Sequence, residues 1–479
     1  MRGVLTVGVR GVAVRTLGMV GNIALARLLV PHDFGLVALG FTFVAVGSFI
    51  TDGGIGAHLL RAASPPSRLE LQAVFGLQLA VATAVAMLAA IVGVPLGTAG
   101  AIAAIMACSL PIDAARTPAA LSAERRLDYR ALVRAEVLEI VAYNVFAIAA
   151  VALGAGVWGV AAAVVVRSLV GASLVVTSLP PGLVRPRWSW ETVRPVVGFG
   201  LKFQSVGVVS LVRDQGLAVV TSAVAGFATL GYWSIAYRIT QILLLVLQSL
   251  WRVSYPAVAR LIGAGEDPAP ALQRALRVSA IVTGAVVACL IGSAPALVPL
   301  LFGEQWDPAV AAVAWSAAGL MISGPISTAS AGLLLARRRV GWVLRATVVH
   351  TVAWFGVATP LLPALGVTAL GIGWCVAACV DAVLLAIYTK REIEFPVVAS
   401  LARPVISGAV AAGLGWCLAK AIPSVLLGTV AALSTALAVY VVCLRVLCPD
   451  DLRDTYRVLR RGLRKAQDRP LDVAVAGSP

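Results

Sequence analysis

Charged side chains are scarce in this chain, and a few fall where apolar residues surround them. Arg213 and Asp214 stand side by side within "SLVRDQGLAVV", with Lys202 and Arg238 in the apolar stretches on either side. An arginine at the centre of a bilayer costs about 2.5–3.5 kcal/mol on insertion scales, so such residues turn toward a bundle interior or an aqueous cavity. At about 100° per residue, Lys202, Ser210, Arg213, Asp214 and Thr221 share roughly one third of a helix circumference. On the next apolar stretch Ser234, Arg238, Gln241, Gln248, Ser249 and Arg252 share an arc of about 100° by the same spacing. Two successive helices thus carry mostly cationic polar stripes. Their chemistry is phosphate recognition, because a planar guanidinium donates hydrogen bonds in pairs. A purely structural role, with Arg213 and Asp214 each neutralising a partner on another helix, stays open. Adjacent helical residues point about 100° apart, so these two are not expected to pair well with each other. Lys202 lies closer to its helix end, where it can snorkel. Arg15 and Asn22 share a face of the first helix and are further candidates for the same cavity.

Other chemistry finds little support. Asp52, Arg167, Arg345 and Asp381 are single charges on helices and read as helix–helix hydrogen-bond partners. Glu136, Glu139 and Tyr143 share a face at the start of a helix, where surface pairing accounts for them. His32, His58 and His350 lack metal-ligand spacing, and the seven cysteines form no CxxC pair, so they read as small packing residues. There is no P-loop, and "GGIG" at 53–56 lacks the strand–turn–helix setting of a dinucleotide site. No nucleophile–base pair stands out. Neither enzymatic catalysis nor a metal or cofactor is expected.

The elements that must position these residues follow from composition. Of 479 residues, 60% are hydrophobic and 13% charged, with a mean hydropathy of +0.95; soluble domains have about 45–50% apolar and 25% charged residues. A transmembrane helix needs about 20 apolar residues, and about fourteen such stretches recur from 3–29 to 424–447. Barrel strands would alternate apolar and polar residues, which these do not, so the fold class is an all-α polytopic membrane bundle. The opening "ALA" at 24–26 mimics a signal-peptidase site, but the apolar segments simply continue, and the first helix is read as uncleaved. The net charge of +16 does not point to nucleic acid, because the basic residues occupy short connections between apolar helices. Connections such as Arg125/Arg126/Arg130/Arg134, Arg185/Arg187/Arg194 and Arg337/Arg338/Arg339 alternate with ones such as "GAGVWG", "GFATLG" and "GEQWDP" that have no Lys or Arg. Every second connection is basic, which places both termini in the cytoplasm. Residues 122–135 read as a short basic amphipathic helix on the inner leaflet. The Arg-rich tail after Cys448 reads as resting on anionic lipid or simply solvated, with a disordered end. A faint repeat sets "HDFGLVALGFTF" (32–43) on "ATLGYWSIAYRI" (228–239), Gly35 falling on Gly231, as in parallel-repeat transporters.

Several stretches together carry a family resemblance: "LARLLVPHDFGLVAL" (25–39), "DGGIGAHLLR" (52–61), "LGYWSIAYR" (230–238) with "YPAVARL" (255–261), and "LFGEQWDPA" (301–309). In that order they resemble the polysaccharide-repeat-unit (Wzx-type) flippases of the multidrug/oligosaccharidyl-lipid/polysaccharide exporter superfamily. The resemblance implies an N-terminal six-helix half (1–179), a cytoplasmic connection (180–195) and a C-terminal six-helix half (196–389) around a central cavity. Two additional helices (390–447) and a basic cytoplasmic tail (448–479) follow. It also implies alternating access in a bacterial cytoplasmic membrane and a cargo of oligosaccharide on polyprenyl diphosphate, with membrane lipids, a polymerase and glycosyltransferases as associates. Many relatives carry Asn-x-Asp in the seventh helix; Asp214 matches the acid, Val212 stands at the Asn position, and Arg213 lies between them. The substrate-binding candidates are Arg213, Arg238, Lys202, Asp214 and Gln241, with Arg15, Asn22, Ser210 and Gln248 as additional cavity residues. A drug or cation antiporter of the same superfamily, a lipid II flippase and a non-transporting scaffold for glycan assembly are the competing readings.

Overall fold

The computed structural model describes residues 16–61, 64–394 and 396–457, and among these every regular element is a helix. In chain order they are α1 (Thr16–Leu28), α2 (Pro31–Asp52), α3 (Ile55–Arg61), α4 (Arg68–Gly93), α5 (Thr98–Ala107) and α6 (Ser109–Arg125). After them come α7 (Arg130–Ala150), α8 (Gly156–Ser178), α9 (Trp190–Leu211), α10 (Leu217–Gly263), α11 (Ala269–Phe302) and α12 (Ala309–Ala336). The chain continues through α13 (Val340–Leu365), α14 (Val367–Lys390), α15 (Val397–Ala421) and α16 (Val425–Leu447), and residues 449–457 form a short α17.

Local sequence sets the boundaries. Pro31 opens α2, and Gly53, in left-handed backbone, closes it by donating its N–H to the Phe49 carbonyl. The sequence "SRLE" forms a capping box at the start of α4: Ser67 Oγ accepts from the Glu70 N–H at 3.1 Å, and Glu70 Oε2 from the Ser67 N–H at 2.6 Å. Eleven helical runs among the described residues are long and apolar enough to cross a bilayer. Two of these, Arg130–Ser178 and Gly207–Gly263, have 49 and 57 residues, about twice what ~30 Å of hydrocarbon requires. Each is broken by glycine at positive φ, Gly154 and Gly156 in the first and Gly226 (φ 80°) in the second, a conformation that an absent Cβ permits.

Residues 122–135 do not form a separate amphipathic helix. Their first part completes α6, which ends in a Schellman turn: Asp128 donates to the Ala123 carbonyl and Leu127 to that of Glu124, with Leu127 itself at φ 57°. The chain then enters α7 at Arg130. Cap geometry therefore overrides the basic periodicity of the segment. The equally basic turn after α12 has the same form, with Arg338 at φ 60°.

The chain divides into two compact units. One holds the chain up to Ile235 with Leu301–Trp306 and Leu361–Val367; the other holds Ala236–Leu300, Asp307–Pro360 and Thr368 onward. In the first, α8 packs along α6 and α7, and α4 along α5 and α6. In the second, α15 packs along α16, and Tyr440 Oη donates to the Ile281 carbonyl at 2.9 Å, tying α16 to α11. Contact faces are rich in Ala and Gly, as at Gly93/Gly100 and Gly292/Gly415, where backbones approach closely. Large apolar side chains such as Ile91 and Val352 point outward, the arrangement that lipid solvent favours.

Candidate functional site

Residues 190–263 carry most of the predicted site. Between α9 and α10 lies a π-helical turn, Val212–Gly216, made of "VRDQG". Arg213 and Asp214 pair within it, contrary to expectation: Arg213 Nε donates to Asp214 Oδ1 at 2.8 Å and Nη2 to Oδ2 at 3.3 Å. The wider i→i+5 turn brings neighbouring side chains closer in azimuth than an α-helix does, and the arginine's length closes the rest. Both side chains are half-buried, 25% and 29% exposed. The fork of Arg213 is thereby held in place by a carboxylate through two of its donors. Ser210, also half-buried, lies one turn earlier, and Gln204 of α9 donates to the Phe49 carbonyl of α2 at 2.8 Å.

On α10 the stripe has a gradient. Arg238 and Gln241 are half-buried, whereas Gln248, Ser249 and Arg252 are exposed; Ile239, Thr240, Leu243 and Leu247 are buried. The hydroxyls of Ser234 and Ser249 are spent on the Gly231 and Leu245 carbonyls of their own helix. Arg213, Asp214 and Ser210 belong to the first unit, and Arg238, Gln241 and Gln248 to the second. Asn22 is half-buried on α1. Arg15 lies outside the described residues, as does the side chain of Lys202.

The stretches that carried the resemblance are packing signatures, and most converge on one place in the first unit. Trp306, fully buried, packs edge-on against Phe34 and Tyr232 and donates its Nε1–H to the Ala26 carbonyl at 2.9 Å. Gln305 donates to the carbonyls of Ala26 and Leu29, and Arg27 Nε to that of Leu301. The repeat-related Gly35 and Gly231 meet here: a Cβ on Gly35 would collide with the Phe227 carbonyl, and one on Gly231 with the Pro31 carbonyl. In "DGGIG", Asp52 Oδ2 accepts from the Gly54 N–H at 3.2 Å, and Gly54 lies against the backbone of Gly200.

One charged group was misread in the sequence. Glu139 is buried, 4% exposed, and belongs to a network instead of surface pairing. It accepts from Arg116 and lies 3.7 Å from Arg167; Arg116 also reaches Asp113 at 3.3 Å, and Ser168 Oγ donates to Asp113 at 3.1 Å. Gly171 of α8 leaves room for the Glu139 carboxylate, and a cavity of about 310 Å³ lined by Glu124, Tyr129 and Glu136 adjoins it. The available signal was the Asp113/Arg116 pair, opposite charges one turn apart on a single apolar helix, α6, together with Arg167 on α8. Asp381 behaves as expected, accepting from Ser327 of α12 at 3.3 Å.

Long apolar helices broken at glycines, with large apolar side chains facing outward, define the fold of an all-helical, multi-pass membrane protein. That fold is similar to the solved structure of the lipid II flippase MurJ in an inward closed conformation, with a TM-score of 0.71, 13% identity, and coverage of 93% of this chain and 99% of that one. It is also similar to an inward-facing multidrug resistance MATE family transporter of the MOP superfamily, with a TM-score of 0.59, 17% identity, and coverage of 80% and 95%. Residues 24–311 match the family model described as polysaccharide biosynthesis protein, and the chain belongs to that family. Among its relatives, the succinoglycan biosynthesis transport protein ExoT of Rhizobium meliloti (strain 1021) is 26% identical over 310 residues, covering 62% of this chain and 60% of that protein. The lipopolysaccharide biosynthesis protein WzxC of Escherichia coli (strain K12) is 24% identical over 344 residues, covering 68% and 67%.

Proposed function

We propose that this protein is a flippase that carries oligosaccharide repeat units, linked to a polyprenyl diphosphate, from the inner to the outer leaflet of a bacterial cytoplasmic membrane for polysaccharide assembly. The polyprenyl tail stays in the bilayer while the sugar-diphosphate head crosses. Unassisted, that head would lose its hydration in hydrocarbon at prohibitive cost; Arg213, Arg238 and Lys202, helped by Gln241, replace the lost water. Asp214 keeps Arg213 oriented between turnovers. Arg15, Asn22, Ser210 and Gln248 complete the polar lining. The observation that carries this reading is the half-buried Arg213 held on a π turn inside an apolar helix, in a chain of the polysaccharide biosynthesis family; the half-buried Arg238 and Gln241 of α10 add to it.

The rest of the reading follows the broken helices. Gly154/Gly156 and Gly226 split two long runs into four crossings, and α1 adds one more, giving fourteen helices in two six-helix halves plus α15 and α16. The basic connections then face the cytoplasm with both termini. With the cell interior negative, each negative charge moved outward gains about 2.3 kcal/mol per 100 mV, so the cycle runs without ATP or a cofactor. Glycosyltransferases supply the cargo, and a polymerase consumes it. Proteoliposomes containing the protein should translocate a fluorescent polyprenyl-diphosphate oligosaccharide, and Arg213→Ala with Arg238→Ala should abolish most of that flux. Full flux from the folded double variant would refute the site; no flux from the wild type would refute the activity.

A further inference from the structure

The end of the second unit that carries its basic connections also holds an acidic bowl. Its cavity, about 670 Å³, is lined by the α10–α11 connection (Glu266, Asp267), the first turns of α11 (Gln273), Arg337 and the α14–α15 connection (Glu392, Glu394). Two of these acids have local duties. Asp267 Oδ1 caps α11 by accepting from the Ala269 N–H at 3.0 Å, and Glu392 binds Arg339 Nε at 2.7 Å. Glu266 and Glu394 add negative charge at the same mouth, on a protein with net charge +16.

What fills such a bowl is indicated by α17. This helix is fastened to α11 by two ion pairs, Asp451 with Arg277 at 3.3 Å and Asp454 with Arg274 at 3.4 Å. Leu452 packs beside Ile281 and Cys448 in the same core. The order of the two pairs gives the direction. Three residues forward along α17 correspond to three residues back along α11, so the next step sets Arg457 beside the start of α11, where Ala269, Pro270 and Gln273 form the wall of the bowl. The sequence continues from that rim as "VLRRGLRKAQDR", with Arg460, Arg461, Arg464, Lys465 and Arg469 against one acid, Asp468.

We infer that the acidic bowl is the docking site of this chain's own basic tail, residues 458–469, delivered to it by α17. The charges are complementary, the segment starts at the bowl's edge, and no linker has to be spanned. Once docked, the tail ties the α10–α11, α12–α13 and α14–α15 connections into one clasp. This occupant replaces the lipid surface expected from the tail's composition alone.

Lys465 is the tail's one lysine, which makes the test specific. The full-length protein, purified in uncharged detergent, is treated with a carbodiimide that joins an amine and a carboxylate only in direct contact, and the amides are mapped by mass spectrometry. An amide between Lys465 and Glu266, Asp267 or Glu394 is the expected product, suppressed at 1 M salt, where the screening length falls to about 3 Å. Glu266→Lys with Glu394→Lys, which spares the cap and the Arg339 pair, should abolish it. Adding Arg460→Glu, Arg461→Glu and Arg464→Glu should restore a cross-link of opposite sense, bowl lysine to tail glutamate. The inference is overturned if the folded wild type gives no tail–bowl amide, or if the amide survives charge reversal of the bowl. It is equally overturned if the amide disappears when the protein is moved into vesicles containing anionic phosphatidylglycerol, which would make the lipid surface the tail's partner.

Discussion

Two groups of charges are embedded in the apolar helices, and the protein handles them in opposite ways. Around Glu139, two acids and two arginines from α6, α7 and α8 neutralise one another, and the central carboxylate is buried. On the π turn Arg213 pairs with its neighbour Asp214 within one helix, and along α10 the polar side chains range from half-buried to exposed. Closed networks hold helices together; in the proposed function the less buried polar side chains of α10 meet a cargo that arrives and leaves. The distinction rests on how deeply each group is buried, and it is invisible in the mere presence of charge.

The strongest way to break this contrast is to remove the closed network's centre. Glu139→Ala leaves Arg116 and Arg167 short of their shared acceptor and should destabilise the protein by about 3–5 kcal/mol, seen as a large drop in thermal midpoint in detergent. A smaller effect is expected from Gly171→Ala, whose new methyl intrudes on the Glu139 carboxylate; overpacking of this kind typically costs about 1–3 kcal/mol. Gly226→Ala meets no neighbouring atom and should lose only the backbone term, about 1–2 kcal/mol. On the π turn, Arg213→Ala should change stability by less than about 1 kcal/mol, since a part-solvated ion pair contributes little, while transport falls sharply. Asp214→Asn sharpens the comparison further: stability should hardly move, and affinity for a diphosphate lipid should rise as Arg213 is released, measurable by quenching of tryptophan fluorescence on titration. A loss of that affinity would instead make Asp214 part of the binding surface.

Much of this architecture could be read along the chain. The helix breaks at "GAGVWG" and "GFATLG" fall at the glycines that take positive φ, and the repeat-related Gly35 and Gly231 touch. The amphipathic arc on α10 was legible because six polar residues at helical spacing in an apolar helix leave few alternatives. The Arg213–Asp214 pair was not, because a π turn changes the angle between neighbours and nothing in "VRDQG" announces one. The Glu139 network was missed for a different reason. Its members come from three helices, and nothing in the sequence shows that Asp113 and Arg116 of α6, Glu139 of α7 and Arg167 of α8 meet. The segment 122–135 shows the same limit: its basic periodicity suits an interfacial helix, yet Leu127 accepts the left-handed cap position that usually goes to glycine.

The claim that the stripe lines a path for a phosphate-bearing head is tested most directly by thiol accessibility. In a cysteine-free background, Arg213→Cys, Arg238→Cys and Glu139→Cys are each exposed to a membrane-impermeant, charged thiol reagent, with and without a polyprenyl-diphosphate oligosaccharide. The account predicts rapid labelling at 213 and 238 that the lipid-linked sugar suppresses, and slow labelling at 139 that it does not affect. Labelling at 139 protected by the cargo, with 213 and 238 inert in a folded protein, would contradict it.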